Sequence, residues 1–352
     1  MELGESMKGR PTIRDVARLA GVGTTTVTRV VQSQGYVSTE TRDAVLAAVN
    51  QTGYQVNSVA RSLKQRRSFV IGHLLRSTIP NPFYLMVARG VEDEARERGY
   101  TALTYNVQGE AEAERRGIEI FLNWRADALI FTTAVDAENV DFASTRGLPV
   151  VQVERPKSAN APGITVRNYA GAYAAMQHLI DLGHRKIAYI GGLPQAETLA
   201  YVEKERVGAY RDAMARIGRA PSEFFLAGPR YLQDAESSVR PGYDAAVRLL
   251  ASGQRPTAIQ CTNDIIAAGV LQAIREAGLR VPDDISVIGF DDTLGHYLTP
   301  QLTTVRLPAY ELGQTAARMV IDAVEGTTSQ AGQTFQLDAT LVLRQSTAKP
   351  PA

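Results

Sequence analysis

The sequence is poor in the residues that most often cross-link a fold or bind a transition metal. It contains one cysteine, Cys261, and only four histidines. A disulfide within the chain is therefore excluded. The scattered histidines lack the spacing of zinc ligands, so we expect no metal and no cofactor. A single cysteine is also typical of a protein of the reducing cytoplasm, which is where we predict this one.

Long apolar stretches are missing as well. No run of about 18 apolar residues occurs, which excludes a membrane-spanning helix of ordinary length. The first eleven residues are polar and lack the apolar core of a signal peptide, so we predict a disordered leader over residues 1–11. With 352 residues, of which 44% are hydrophobic, the chain is long enough for two or three globular domains.

The sequence also carries no motif of the common α/β enzymes. Neither G-x-G-x-x-G nor G-x-x-x-x-G-K-[ST] is present, and Gly191-Gly192 leads into Leu193-Pro194 rather than into a helix. No histidine lies in a recognisable catalytic triad motif. We therefore predict no catalytic residues.

The segment from Thr12 to Val31 has the pattern of two short helices joined by a tight turn. Thr12 can cap the first helix, and Asp15, three residues later, can return a bond to the Thr12 backbone. Gly21-Val22-Gly23 ends that helix, because glycine readily adopts turn conformations, and the second helix begins at Thr24. This pattern is typical of a helix-turn-helix, whose second helix enters the DNA major groove. It also allows a helical hairpin that binds nothing.

The charge of the N-terminal stretch argues against a helical hairpin that binds nothing. Residues 8–67 contain ten Lys and Arg but only three acidic residues, a net charge of +7, whereas the whole chain has a net charge of +1. A basic module joined to a mildly acidic body is typical of a nucleic-acid-binding protein. A third helix is predicted from Ser38 or Thr39 to about Gly53, with Val45, Leu46 and Val49 on its core side and Tyr54 closing the core.

A larger set of residues extends this pattern: Thr12-Ile13-x-Asp15-Val16-Ala17, Ala20-Gly21-Val22, Thr26-Val27-Thr28-Arg29-Val30, Val37-Ser38, Thr41-Arg42, Tyr54, Asn57 and Val59-Ala60-x-x-Leu63. The set resembles the headpiece of the lactose-repressor (LacI/GalR) family of bacterial transcription regulators. The resemblance implies a DNA-binding headpiece over residues 12–56. It also implies DNA contacts from Thr12, Thr24, Thr25, Thr26, Thr28, Arg29, Tyr36, Asn57, Ala60, Arg61 and Leu63.

Residues 57–67 form a separate piece. Asn57 can cap a helix of about two turns, which is too short to persist alone in water. The resemblance implies a hinge helix that folds when two copies meet on DNA, with Leu63 as an apolar wedge in the minor groove. Without the resemblance, a flexible linker rich in Arg and Ser is an equally good interpretation.

From Phe69 onward, short apolar runs alternate with amphipathic helical stretches. The predicted strands are 69–75, 102–105, 128–131, 150–153, 186–190, 224–226, 258–261, 286–290 and 334–343. This alternation predicts an α/β class core with parallel sheets covered on both faces. The resemblance implies a periplasmic-binding-protein-like core of two subdomains over 68–345. The predicted N-subdomain spans 68–168 and 301–332, and the C-subdomain spans 169–300 and 333–345. The chain is expected to pass between them at Leu182-Gly183-His184-Arg185, near Thr299-Pro300 and before the last strands.

Polar and aromatic side chains follow several of these strands, and ligands bind at the carboxyl ends of parallel strands. The resemblance implies that the following residues contact an effector: Phe83, Tyr84, Glu154, Arg167, Arg206, Asn263 and Asp291. Aromatic faces with Asp, Asn and Arg suit a polyhydroxylated ligand such as a sugar or sugar derivative. Arg167 hints at an acidic or phosphorylated ligand. Phe83 and Tyr84 are also consistent with plain core residues, and Asp264 and Asp292 are more typical of helix caps than of ligands.

Together these features predict a cytoplasmic, homodimeric transcription regulator, a repressor rather than an activator, that binds pseudo-palindromic operator DNA. The chain ends without the apolar heptads of a tetramerisation tail, so we expect a dimer. The body alone would also allow a sugar-transport receptor or an α/β enzyme acting on sugars. The basic headpiece argues against the receptor, and the missing catalytic motifs argue against the enzyme.

Overall fold

The computed structural model describes residues 11–31, 35–54, 67–76, 81–154, 156–191, 201–225, 239–253, 255–327 and 333–351, apart from the side chains of 201–203 and 223–225. Contacts between residues divide the chain into two units, Met1–Ser68 and Phe69–Ala352. In the described ranges, no helix has the length and apolar composition needed to cross a membrane.

The first unit contains helices α1 (Ile13–Ala20), α2 (Thr24–Val31) and α3 (Thr39–Thr52). The N–H and hydroxyl of Thr12 both donate to the Asp15 carboxylate, at 2.9 and 2.7 Å, which fixes the start of α1. These bonds hold the pKa of Asp15 below its usual value. Gly21 ends α1 with a φ of 64°, a left-handed conformation that favours glycine. The predicted turn and the start of α2 are confirmed.

The core of this unit is formed by Val16, Ala17, Val27, Val30, Val45 and Ala48. Tyr54 packs against it, as predicted. The placement of Leu46 on the core side of α3 is wrong, because its side chain is 45% exposed. Each helical residue advances about 100°, so Val45 and Ala48 share one face while Leu46 is turned away from it.

Two six-stranded sheets form the second unit. The first has the order β11-β5-β4-β3-β1-β2 and the second β12-β10-β9-β8-β6-β7. Among the described strands, all pairs are parallel except β10 with β12, so the predicted α/β class is confirmed. The strands are β1 (Val70–Leu75), β2 (Thr101–Asn106), β3 (Ala128–Thr132), β4 (Val150–Val153), β5 (Gly163–Val166), β6 (Ile187–Gly191), β7 (Ser222–Phe225), β8 (Ala258–Cys261), β9 (Ser286–Asp291), β10 (Thr303–Arg306), β11 (Thr334–Leu337) and β12 (Thr340–Val342).

The helices of this unit cover the sheets on both faces. They are α4 (Pro82–Glu97), α5 (Ala111–Asn123), α6 (Ala137–Ser144), α7 (Asn168–Asp181), α8 (Tyr201–Arg216), α9 (Val239–Ala251), α10 (Asp264–Glu276) and α11 (Ala309–Glu325). We call the part built on the first sheet the N-subdomain and the part built on the second sheet the C-subdomain. In the N-subdomain, α4 packs along α11, and in the C-subdomain, α9 packs along α10.

The first crossing between the subdomains agrees with the predicted boundary at 168/169, whereas the other predicted crossings differ from the structure. Helix α7 packs on strands of the second sheet, so the first crossing lies at Arg167 rather than at Leu182–Arg185. Strand β10 pairs with β9, so the second crossing follows Arg306 and not Thr299-Pro300. Strand β11 belongs to the first sheet and β12 to the second, so the third crossing lies near Asp338. The polar, four-residue β10 lacks the apolar run by which the other strands were predicted.

Helix α11 approaches α4 closely at two glycines. A Cβ on Gly313 would overlap the Val87 carbonyl oxygen and would lie 2.9 Å from the Val91 nitrogen. A Cβ on Gly90 would meet the Tyr310 carbonyl in the same way. Neither backbone group can move aside without shifting its helix, so glycine at these positions sets the spacing of the pair.

Candidate DNA-binding and effector-binding sites

The exposed face of α2 carries the residues predicted to read bases. Thr24, Thr25 and Arg29 are exposed, whereas Val27 and Val30 on the opposite face are buried in the core of the first unit. The short threonines leave room for a base edge, and the Arg29 guanidinium can donate two parallel hydrogen bonds to guanine. This face is therefore suited to the major groove.

The other predicted DNA contacts are less uniformly placed. Thr12 is exposed, and Tyr36 is 93% exposed, which is unusual for an aromatic side chain without a partner surface. Thr26 and Thr28 are half-buried, and the Thr28 hydroxyl donates to the Thr24 carbonyl at 2.9 Å. The predicted hinge contacts lie outside the described residues: Asn57, Ala60, Arg61 and Leu63.

Asp291 and Arg206 form a buried ion pair at the carboxyl edge of the second sheet. Arg206 Nη2 lies 3.5 Å from Asp291 Oδ1, with side-chain exposures of 8% and 6%. Arg206 also donates to the Asn168 side-chain oxygen at 2.9 and 3.0 Å and to the Thr262 carbonyl at 2.6 Å. Its guanidinium lies 3.7 Å from the centre of the Phe290 ring. These contacts hold the guanidinium in one orientation, as a binding site requires.

Glu154 reaches the same network from the first sheet. Its carboxylate accepts the Val166 N–H at 2.8 Å and the Asn168 amide at 3.4 Å. Asn168, the first residue of α7, thus connects Glu154 to Arg206. Glu154 and Asp291 both have a left-handed φ, of 70° and 98°. Such backbone conformations cost free energy in non-glycine residues and concentrate at functional sites.

Asn81 provides a hydrogen bond of this network that also joins the two subdomains, as the bond from Asn168 to Glu154 does. Asn81 precedes α4 of the N-subdomain, and its Oδ1 accepts the Phe83 N–H at 2.9 Å. Its Nδ2 donates at 3.1 Å to Oδ2 of Asp291, which ends β9 in the C-subdomain. The same amide therefore caps a helix on one side and binds a carboxylate on the other.

The predicted aromatic residues and Asn263 have structural contacts of their own. Phe83 is 6% exposed and belongs to the main core, and Tyr84 is half-buried against it with the two rings 5.6 Å apart. The core interpretation is therefore correct for Phe83. Asn263 caps α10 by accepting the Ile266 N–H at 2.8 Å, which leaves its amide N–H groups for other partners.

Comparison with known proteins places both units of the chain. Residues 12–57 match the bacterial regulatory proteins of the lacI family, and residues 176–347 match the periplasmic binding protein-like domain. The HTH-type transcriptional repressor PurR of Photobacterium profundum is 34% identical over 95% of this chain and 98% of its own. The chain belongs to the lacI family.

Two solved structures of lacI-family proteins are also similar. The lac repressor dimer bound to operator and the anti-inducer ONPF has a TM-score of 0.76 and 27% identity, covering 97% of this chain and 100% of its own. A LacI family transcriptional regulator from Enterococcus faecium with bound ribose has a TM-score of 0.66 and 26% identity, covering 80% and 99%. This lacI-family protein is a DNA-binding transcriptional repressor, which confirms the predicted function class.

The described side-chain contact of Arg167 is with Asp338 and not with the effector-site residues Arg206, Glu154 and Asp291. Its guanidinium pairs with Asp338 at 3.2 Å, with side-chain exposures of 57% and 78%. The backbone N–H of Arg167 also donates to the Leu337 carbonyl at 2.9 Å, so two of the chain crossings are joined. The structure thus brings the neighbouring Asn168, rather than Arg167, to Arg206 and Glu154. Neither Asn168 nor Asn81 was among the predicted effector contacts. Each is an asparagine at the start of a helix that follows a strand, and this pattern could have indicated both.

Asp264 and Asp292 stabilise the turn that follows Asp291. The prediction that they cap helices is wrong. Asp264 Oδ2 accepts the N–H groups of Thr293 and Leu294 at 2.9 and 3.2 Å, and Oδ1 accepts the Thr304 hydroxyl at 2.6 Å. Burial raises the pKa of Asp264 to about 7, against the opposing effect of the Thr304 bond. Asp292 instead pairs with the two guanidinium groups of Arg306 and Arg344, both at 2.7 Å.

We expect the free energy of unfolding to fall as the pH rises from about 5 to about 7, by on the order of 1 kcal/mol. The pKa of Asp264 is raised from 3.8 to about 7 on folding, so the folded chain holds the proton more tightly. That advantage is present below the unfolded pKa and is lost as the pH rises through the folded pKa. Urea unfolding of wild type and Asp264→Asn measures it, because the amide does not titrate, while its oxygen can accept the two N–H groups and its nitrogen can donate to the Thr304 hydroxyl.

The variant should show a flatter pH dependence than the wild type. Asp136→Asn is the matched control, since Asp136 caps α6 by accepting the Glu138 N–H and touches none of the cleft residues named above. Equal slopes for wild type and Asp264→Asn would contradict the raised pKa of Asp264.

Proposed function

We propose that operator binding by this repressor is controlled by a small, neutral, polyhydroxylated effector, such as a sugar, that binds between the two subdomains. The observation that carries the proposal is the buried network of Asp291, Arg206 and Asn168. Carboxylate, guanidinium and amide groups bind neighbouring hydroxyls in pairs. We include Glu154 and Asn263 among the contacts. The relative with bound ribose supports this ligand class.

Aromatic surface and charge refine the proposal. Tyr84, at the rim of the Phe83 ring, offers an apolar face to the C–H surface of a sugar ring. In the described part of the cleft, the network contains one positively charged side chain, Arg206, and two acidic side chains, Glu154 and Asp291. An anionic ligand would meet this excess of carboxylate, and Arg167 is engaged by Asp338. We therefore propose a neutral ligand rather than an acidic or phosphorylated one.

A thermal-shift and calorimetric screen of the full chain tests the ligand class. Neutral pentoses and hexoses are compared with their phosphate esters and with the matching sugar acids at one concentration. We expect the neutral compounds to raise the unfolding temperature and the charged ones to do so less. Tighter binding of a phosphate ester or a sugar acid than of its neutral parent would contradict the proposal.

On the DNA side, we propose that two chains bind a pseudo-palindromic operator as a homodimer, with α2 of each chain in the major groove. The solved lac repressor dimer bound to operator supports this arrangement. Thr24, Thr25 and Arg29 are the proposed base-reading residues. We also propose that the protein works in the cytoplasm and releases its effector chemically unchanged, which recovery of the ligand after incubation would test.

Arg29→Ala should weaken binding to the correct operator by about 1–3 kcal/mol and relax the preference at one base pair of each half-site. Arg29 is exposed on the reading face of α2, where its guanidinium can reach guanine O6 and N7. Fluorescence anisotropy with the operator and with variants of each base pair measures the effect. Arg18→Ala is the control, because Arg18 lies on α1 and pairs with Asp15. An equal loss on random DNA would make Arg29 a phosphate contact.

A further inference from the structure

The side-chain amide of Asn81 is held in one orientation by its two partners. Its Oδ1 accepts the Phe83 N–H at 2.9 Å, and its Nδ2 donates to Asp291 Oδ2 at 3.1 Å. A flipped amide would set N–H against N–H and oxygen against carboxylate, so both contacts would become repulsive. The helix cap thus aims the amide nitrogen across the cleft at Asp291.

Asp291 has two carboxylate oxygens, and the described contacts use both. Oδ1 faces Arg206 Nη2 at 3.5 Å, within the C-subdomain, and Oδ2 receives Asn81 from the N-subdomain. A ligand that binds Asp291 through two hydroxyls needs both oxygens. Asn81 reaches Oδ2 from the N-subdomain, so a ligand that enters between the subdomains and binds this oxygen from the same side has to displace the Asn81 bond.

We propose that Asn81 is an intramolecular latch that closes the cleft and competes with the effector for Asp291. The proposal rests on the effector site proposed above. It makes Asn81 a determinant of affinity and specificity: the effector replaces an existing cross-cleft bond, so its binding strength reflects the difference between the two contacts. A ligand with two adjacent hydroxyls replaces the latch fully, whereas a ligand with a single hydroxyl replaces it at a loss.

The first test measures closure without any effector. Asn81→Ser keeps a capping oxygen for α4 but ends short of Asp291, and Asn81→Asp keeps the cap while placing a second carboxylate against Asp291. Spin labels are attached to cysteines introduced at Glu112 in α5 and Val247 in α9, which are both exposed. Cys261 stays unlabelled, because it is buried and burial raises the pKa of its thiol.

We expect electron-resonance distances to be longer or broader in Asn81→Ser than in wild type, and more so in Asn81→Asp. Asp136→Ser, which exchanges the cap of α6, should leave them unchanged. Distances in Asn81→Ser that equal those of wild type would overturn the latch. This arm needs no ligand, so it stands or falls independently of the proposed effector.

The second test measures competition. Calorimetry with D-ribose, and with the neutral sugar that raises the unfolding temperature most, compares wild type, Asn81→Ser and Asp136→Ser. We expect Asn81→Ser to bind about tenfold more tightly, because a bond to a charged acceptor no longer has to be displaced. Unchanged or weaker binding by Asn81→Ser would overturn the competition. Absence of binding in wild type, together with changed distances, would overturn the proposed effector class and the competition while the latch stands.

Discussion

Replacing Asp291 with alanine should lower effector affinity by about a hundredfold or more and so abolish the response of operator binding to the ligand. The carboxylate lies between a group of each subdomain, Arg206 of the C-subdomain and Asn81 of the N-subdomain. Each hydrogen bond to a charged group contributes about 1.5–3 kcal/mol, and the effector would lose two of them. Calorimetry and operator binding with and without the ligand measure both losses.

The fold should survive this substitution. Arg206 keeps its bonds to Asn168 and to the Thr262 carbonyl when the Asp291 carboxylate is removed. Without the ligand, the operator affinity of Asp291→Ala should equal that of Asn81→Ser, since both variants lose the same cross-cleft bond. If Asp291→Ala still responded to the effector, the binding site would have been placed wrongly.

Gly313→Ala should lower the free energy of unfolding by about 3 kcal/mol, and larger side chains should lower it further. The new methyl group would collide with the Val87 carbonyl and lie 2.9 Å from the Val91 nitrogen. Both groups belong to the backbone of α4, so the whole helix has to move. Thermal and urea unfolding of the full chain measure the loss.

Gly208 provides the matched control for this prediction. It also lies within a helix, α8, but a Cβ there would meet no atom within 4 Å in the described structure. Gly208→Ala should therefore stabilise the protein by about 0.5–1 kcal/mol, because alanine is the better helix former. Equal effects of the two substitutions would show that helix propensity, and not the contact between α4 and α11, governs both positions.

Much of the fold could be predicted because it depends on patterns of residues that are close together in the sequence. The Gly21 turn, the Ser38 cap of α3 and the buried apolar strands all depend on residues close in sequence. Strand β10 could not be predicted in this way, because Thr303 and Thr304 are buried polar residues that bond Ser346 and Asp264 far along the chain. Its sheet membership depends on those long-range partners.

In the effector site, too, some features could be predicted from the sequence and others depend on long-range contacts. The order of the strands predicted that Glu154, Arg206, Asn263 and Asp291 would gather at one edge, and resemblance supported the choice. The sequence could not show whether Arg167 or Asn168, which both follow Val166, would point into the effector site. Arg167 pairs outward with Asp338 while Asn168 turns in to Arg206, and that choice depends on the crossing of the chain at this point. The bond from Asn81 to Asp291 joins residues 210 positions apart and has no local signature.

The three crossings of the chain share one feature that bears on how far the subdomains can swing. They leave from β5, β10 and β11 and reach α7, α11 and β12, so they are confined to one side of both sheets, while β2 and β7 form the opposite edges. With strands about 4.8 Å apart, those free edges lie about 20 Å from the pivot. A rotation of about 10° would carry a free edge through roughly 3–4 Å, whereas groups beside the pivot would scarcely be displaced. Asp291 lies near this pivot, because its carbonyl accepts the Leu307 N–H of the second crossing at 3.4 Å. A sub-ångström displacement of the Asp291 carboxylate, so close to the pivot, therefore corresponds to a displacement several times larger at the free edges of the sheets.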